Sequence, residues 1–190
     1  VGGIAGKVDK TNMTNVTNQE ANIRGAMNVG GVAGYYGNSN TDKTYRIQNG
    51  QNDGGDISAT GGVTDTWDSD SKDYFAKDKA NSRNESYITG NIGGITGLLF
   101  GQNVHVEGSV NRGNVHTSSE VKNGTVPKTA KVANVGGIAG KIDEPFTSKD
   151  GKQLSAQNRL DNIKNNVGEA SISGSANNGN VEGYVNIGGI

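Results

Sequence analysis

"NVGGIAGKI" occupies residues 134–142, and near-copies stand at 28–36 ("NVGGVAGYY") and 91–99 ("NIGGITGLL"). The chain opens within the same phrase, "VGGIAGKV" at 1–8, and closes within it, "NIGGI" at 186–190. Its double glycines fall at 2–3, 30–31, 93–94, 136–137 and 188–189, at intervals of 28, 63, 43 and 52 residues. A fixed phrase with elastic spacing points to one geometric element repeated with connections of variable length.

A second phrase precedes the first. "VHVEGSVNRGNV" (104–115) matches "ASISGSANNGNV" (170–181) position for position, and "NDGGDI" (52–57) is a rougher copy. Near the start, "ANIRGAM" (21–27) keeps the glycine and the apolar end but shifts the asparagine. One unit therefore reads as a short alternating strand, N-x-G-[ND]-[VI], a variable insert, and N-[VI]-G-G-[IV]-[AT]-G. The tightest unit, 28 residues, suits one turn of a β-solenoid.

"VHVEGSV" and "ASISGSA" alternate with period two, the pattern of a strand with one buried face. Glycine supplies positive φ at tight corners, and asparagine is the next most tolerant residue there. Within "NVGGIAG" the Val and Ile point inward, while Gly and Ala permit close backbone approach. Stacking places Asn28, Asn91, Asn134 and Asn186 above one another as a ladder of side-chain amides. The corner residues on this reading are Asn28, Gly30, Gly31, Asn91, Gly93, Gly94, Asn134, Gly136, Gly137, Asn186, Gly188 and Gly189. No single unit buries its apolar face, but a stack does. The expected fold is all-β, a right-handed parallel β-helix or β-solenoid-like repeat. Residues 1–190 form one repeat segment of a longer solenoid, with inserts at 63–87, 117–131 and 143–169. A Gly-rich sandwich with look-alike strands is the competing architecture.

Composition agrees with a repeat array. Only 31% of the chain is hydrophobic, 5% is aromatic, and mean hydropathy is −0.63, below the usage of an ordinary compact globule. Glycine supplies 31 of 190 residues and asparagine 25. The glycines recur inside apolar phrases, which argues against a disordered linker. The 18 basic and 19 acidic residues balance, and no Lys/Arg run offers a footprint for nucleic acid. No apolar stretch approaches the length that inserts across a bilayer. Cysteine is absent, which removes disulfides, thiolate metal sites and a cysteine nucleophile together.

The G-[IV]-[AT]-G phrase after N-[VI]-G, with N-x-G-[ND]-[VI] upstream, resembles the GLUG-motif repeats of bacterial surface proteins. Such repeats occur in large secreted proteins, including streptococcal zinc metalloproteases that cleave immunoglobulin A and haemagglutinin-type adhesins. The resemblance covers five short stretches and leaves the inserts unexplained. It implies a non-catalytic, extracellular, β-helical module at a bacterial surface or in a secreted protein, and it carries over no catalytic residue.

A metalloprotease centre needs two His one helical turn apart with a Glu between them, and His105 and His116, the two histidines, lack that pattern. "GGIAGKV" and "GGIAGKI" lack the first glycine of a phosphate loop, because Val135 takes its place, and Ile142 stands where Ser or Thr is required. Asp65, Asp68, Asp70 and Asp73 in "DTWDSDSKD" are the candidate calcium ligands, without the central Gly and closing Glu of an EF-hand loop. Otherwise no cofactor is expected. Trp67 and Tyr74 either stack on a sugar ring or pin their insert to the body. Leu154, Leu160 and Ile163 line a candidate short helix. Asp56, Glu107, Asp143 and Glu182 lie near strand phrases without the shared register of a polysaccharide-cleaving groove, and no Ser–His–Asp arrangement is legible.

The expected role is a structural or adhesive module: a stiff spacer presenting loops to a host or matrix protein or glycan. The alternatives are a substrate-gripping accessory domain of a secreted zinc metalloprotease and a glycan-processing β-helix. Because both ends fall inside the phrase, open strand edges are expected to favour end-to-end self-association of the isolated chain.

Overall fold

The computed structural model describes residues 1–38, 43–59, 90–117, 134–143, 170–183 and 187–190. Every strand pairing among them is parallel and none of these residues is helical. The first coil contains β1 (Ala5–Asp9), β2 (Met13–Thr14), β3 (Thr17–Asn18) and β4 (Ile23–Gly25). The second contains β5 (Val29–Gly30), β6 (Ala33–Asn38), β7 (Tyr45–Gln48), β8 (Gln51–Asn52) and β9 (Asp56–Ala59). The third runs through β10 (Asn91–Gly93), β11 (Thr96–Gly101), β12 (Val104–Glu107), β13 (Val110–Asn111) and β14 (Asn114–Thr117). The fourth has β15 (Asn134–Gly136), β16 (Ala139–Asp143), β17 (Ser171–Ser173), β18 (Ala176–Asn177) and β19 (Val181–Glu182), after which β20 (Ile187–Gly188) begins another coil.

Equivalent strands stack into five four-stranded sheets. In coil order the first sheet is β1-β6-β11-β16, the second β2-β7-β12-β17 and the third β3-β8-β13-β18. The fourth is β4-β9-β14-β19 and the fifth β5-β10-β15-β20. The phrases set the register. His105 pairs with Ser171, Val106 with Ile172, Asn111 with Asn177 and Val115 with Val181, the alignment read from 104–115 against 170–181. In the first coil the matching phrase is not "ANIRGAM": Asn18 pairs with Asn52 and Ile23 with Ile57, so the asparagine lies upstream, at 18. Thr117 and Asp143, placed in inserts by the sequence reading, close β14 and β16.

Alternation sends one side chain in two inward. Met13, Ile47, Val104 and Val106 of the second sheet join Ala33, Tyr36 and Leu99 of the first in one apolar cluster. Ile23, Ile57 and Val115 of the fourth join Val29, Ile92 and Val135 of the fifth in another. Each fully buried Ile or Val contributes about 1.5–3 kcal/mol relative to an exposed one. The exposed large apolar residues, Val1, Ile4, Ile142, Ile187 and Ile190, belong to the first coil, the fourth and the start of the next.

What separates the two clusters is polar. Asn18, Asn52 and Asn111 are buried and, with half-buried Asn177, stack in the third sheet. Each Nδ2 donates to the Oδ1 of the next coil, at 2.6, 2.7 and 2.7 Å. These amides reach across to the second glycine of each pair. A Cβ on Gly3, Gly31, Gly94 or Gly137 would lie under 3.0 Å from both the next coil's backbone and Asn18, Asn52, Asn111 or Asn177 respectively. The coil is pinched there into two lobes.

This corrects the reason for the double glycines. None of those at 2–3, 30–31, 93–94 or 136–137 has a left-handed φ; Asn28, at 43°, is the phrase member that does. They are glycine because the backbones are too close for a Cβ. Left-handed residues sit at a different corner, between the second and third sheets, where Asn15 (53°), Asn49 (53°), Gly108 (57°) and Gly174 (55°) occupy successive coils. Asparagine holds that corner in the first two coils and glycine in the next two, because both tolerate that backbone.

Candidate functional site

The amide ladder expected at the start of the repeated phrase is present in the fifth sheet and the residues leading into it. Asn91 donates to Asn28 at 2.7 Å, and Asn134 donates to Asn91 at 2.7 Å. Asn186 lies outside the described residues, as do Asp65, Asp68, Asp70, Asp73, Trp67, Tyr74, Leu154, Leu160 and Ile163. Gly188 pairs with Gly136, and Gly189 follows it.

The third-sheet ladder was not anticipated, although its signal is in the sequence. Asn111 and Asn177 occupy the same place in the matched phrases, and a strand interior holding asparagine requires a partner for every amide valence. Asn111 has all four. Its Oδ1 accepts from Asn52 and, at 3.2 Å, from the Gly113 N–H. Its Nδ2 donates to Asn177 and, at 2.8 Å, to the Gly113 carbonyl. This is why the phrase reads N-x-G. The backbone two residues on closes the amide's hydrogen bonding, and a Cβ on Gly113 would strike Asn52.

Functional groups otherwise lie on the outer faces. On the second sheet the Arg46 Nε donates to Glu107 Oε1 at 2.8 Å, and Gln48 Nε2 donates to Oε2 at 3.0 Å. His105 Nδ1 is 2.7 Å from Ser171 Oγ, because β12 and β17 place them opposite one another. Burial, with the Arg46 charge second, lowers the His105 pKa, and Glu107 opposes this in part. Burial pushes the Glu107 carboxyl up, but the bonds from Arg46 and Gln48 outweigh it and the net shift is downward. The serine and histidine thus meet, a pairing the sequence reading did not find. The acid of the cluster, Glu107, has its two oxygens engaged by Arg46 and Gln48. A hydrolytic triad needs the acid to orient the histidine, and this arrangement does not supply that.

On the fourth sheet, Asp56, Asn114, Val115, His116, Asn180 and Glu182 line an open depression of about 250 Å³. Asn114 donates to Asp56 at 3.0 Å, and His116 Nδ1 lies 2.9 Å from the Thr117 carbonyl. Among the described residues no three His, Asp or Glu side chains come together as a metal-binding group. Asp56 and Glu182 border this depression while Glu107 lies on the second sheet, so these carboxylates do not converge on one groove.

Two excursions of the chain share one corner. Ala59 and Thr117, the last residues of β9 and β14, are register partners, and so are Asn91 and Asn134, where the chain returns. Ala59 and Thr117 thus lie side by side where the chain leaves the stack, and Asn91 and Asn134 lie side by side where it resumes. Comparison with family models, curated proteins and solved structures gives no match.

Proposed function

We propose that this chain is a non-catalytic structural and adhesive module of a bacterial cell-surface or secreted protein. It is a stiff, right-handed parallel β-helix that presents the inserts at 63–87, 118–131 and 144–169 to a host or matrix protein or glycan. The handedness follows the rule for parallel crossover connections. The observation that carries the reading is the shared corner: Ala59 pairs with Thr117 and Asn91 with Asn134 although the intervening segments differ in length. The stack tolerates long excursions without losing register, as a scaffold for variable loops requires.

The test is binding of the purified chain to immobilised matrix proteins and to a glycan array, before and after deletion of 65–85. The expected result is retention of the far-UV β signal with loss of binding. Binding that survives the deletion transfers recognition to the coil faces, and loss of the β signal removes the division into coils and loops.

A further inference from the structure

Three asparagines of this chain are followed directly by glycine: Asn49, Asn123 and Asn178. Asparagine is thermolabile, and a following glycine is the neighbour that hinders its reaction least, having no Cβ. The glycine nitrogen attacks the asparagine Cγ, loses its proton and expels ammonia, which closes a succinimide ring. Water then opens the ring at either carbonyl, leaving aspartate or isoaspartate. In a folded chain the attack also requires that the glycine N–H and the asparagine amide be released from hydrogen bonds. Asn123 lies outside the described residues. The other two stand in opposite circumstances.

Asn49 is restrained at both reacting groups. Its Nδ2 donates to Asn15 Oδ1 at 2.9 Å, and the buried Gly50 N–H donates to Ser109 Oγ at 3.1 Å. Asn178 has neither restraint. It is exposed and anchored by its own N–H, which donates to the Asn111 carbonyl at 2.7 Å. Among the described residues, neither its side-chain amide nor the Gly179 N–H has a hydrogen-bond partner. The stack itself demands the glycine, because a Cβ at 179 would strike the Gly113 carbonyl. Position 178 is open by contrast, and Asp53 and Arg112 occupy the same place in the two preceding coils. Their N–H groups donate to the carbonyls of Asn18 and Asn52, as that of Asn178 does to Asn111.

We propose that Asn178-Gly179 is a self-modification site, where the folded chain deamidates through a succinimide and gains a carboxylate. That carboxylate arises about 4.8 Å along the stack from Arg112, one strand spacing, on the side away from Asp53. Arg112 already pairs with Asp53, so the modified corner sets one guanidinium between two acids. The two products differ in their effect on the stack. Isoaspartate lengthens the main chain by a methylene just ahead of Gly179, whose carbonyl accepts from Asn177 Nδ2 at 2.9 Å and closes the third-sheet ladder. Aspartate leaves that backbone as it was.

The test incubates the full chain in mildly alkaline buffer at physiological temperature, folded and in urea. Timed samples are digested, and the peptides are mapped by mass spectrometry with aspartate and isoaspartate separated by chromatography. In the folded chain Asn178 should convert at least about tenfold faster than Asn49, which reacts only when its corner opens. In urea the two should convert at like rates, since both precede glycine. A smaller ratio in the folded chain overturns the proposal, as does a difference of the same size in urea. Both products should accumulate at 178, and aspartate alone would mean direct hydrolysis and overturn the succinimide route. Asn178→Gln should abolish the conversion at that peptide without moving the urea midpoint, and conversion that persists at 178 overturns the assignment. The readout is a covalent change within this chain and involves no partner, so this proposal and the adhesive reading fail separately.

Discussion

Replacing Asn111 with alanine breaks the third-sheet ladder at its centre. Four groups lose their partners together: Asn52 Nδ2, Asn177 Oδ1, and the N–H and carbonyl of Gly113. Asn52 and Gly113 are buried, while Asn177 is half-buried and recovers part of its loss from water. A buried polar group left unsatisfied costs about 1–3 kcal/mol, so two to three such losses predict about 3–5 kcal/mol. That is a large share of the total stability of about 5–15 kcal/mol typical of a domain. Asn177→Ala, at the end of the ladder, should cost about 1 kcal/mol. Urea unfolding followed by far-UV circular dichroism measures both, compared by midpoint with the slope held equal. If Asn111→Ala and Asn177→Ala shift the midpoint alike, the ladder does not act as a buried network and the two-lobed core is misread. Asn111→Asp sharpens the result, because it turns an oxygen towards the Gly113 carbonyl and Asn177 Oδ1.

Two kinds of glycine should separate under substitution. Gly94→Ala, with no space for a Cβ between Gly137 and Asn111, should lower the urea midpoint severely or abolish folding, and an unchanged midpoint would refute close approach as its constraint. Gly108→Asn should shift the midpoint by less than about 0.5 kcal/mol, because Asn15 and Asn49 already hold that left-handed corner; a loss as large as that of Gly94→Ala would refute the equivalence of the corners. Stability should also fall as pH drops below about 6.5, the ordinary histidine value. The folded His105 pKa lies lower, so the unfolded chain takes up its proton first, and the loss continues until the folded value is passed. His105→Gln should flatten that part of the pH–midpoint curve, and an unaltered slope would show that His105 is not its source. Glu107, whose folded pKa is lowered, contributes stability that is present above about 4.3 and lost as pH falls through its folded value. Glu107→Gln should remove that acid limb, and its persistence would assign the limb to other carboxylates.

Register was the most legible property of this chain. Position-for-position correspondence between two phrases is a statement about stacking, so the pairing of Val106 with Ile172 and Asn111 with Asn177 could be read before any geometry. The role of the double glycines was not legible, since a glycine needed for its φ and one needed for its missing Cβ look identical. Gly108 and Gly94 belong to different kinds, told apart by the left-handed φ of the first and by the Gly137 carbonyl and Asn111 amide crowding the second. The first coil misled because Glu20, in a left-handed conformation, stands where the second coil has Gly54, which hides the N-x-G signature. The pairing of Tyr35 with Leu98 was also hidden, because the two are separated by an insert in sequence and meet only across coils.

The two amide ladders run in opposite senses. In the third sheet each Nδ2 donates towards the C-terminal end, from Asn18 to Asn52 to Asn111 to Asn177. Along the fifth sheet it donates towards the N-terminal end, from Asn134 to Asn91 to Asn28. Backbone N–H groups are divided likewise: Val32 donates forward to Ile95, and Val110 donates backward to Gly50. An α-helix adds its peptide dipoles head to tail and ends with fractional charges of about half a unit. Here the two ladders set their amide moments against one another along the stacking axis, so they do not add head to tail as a helix's peptides do.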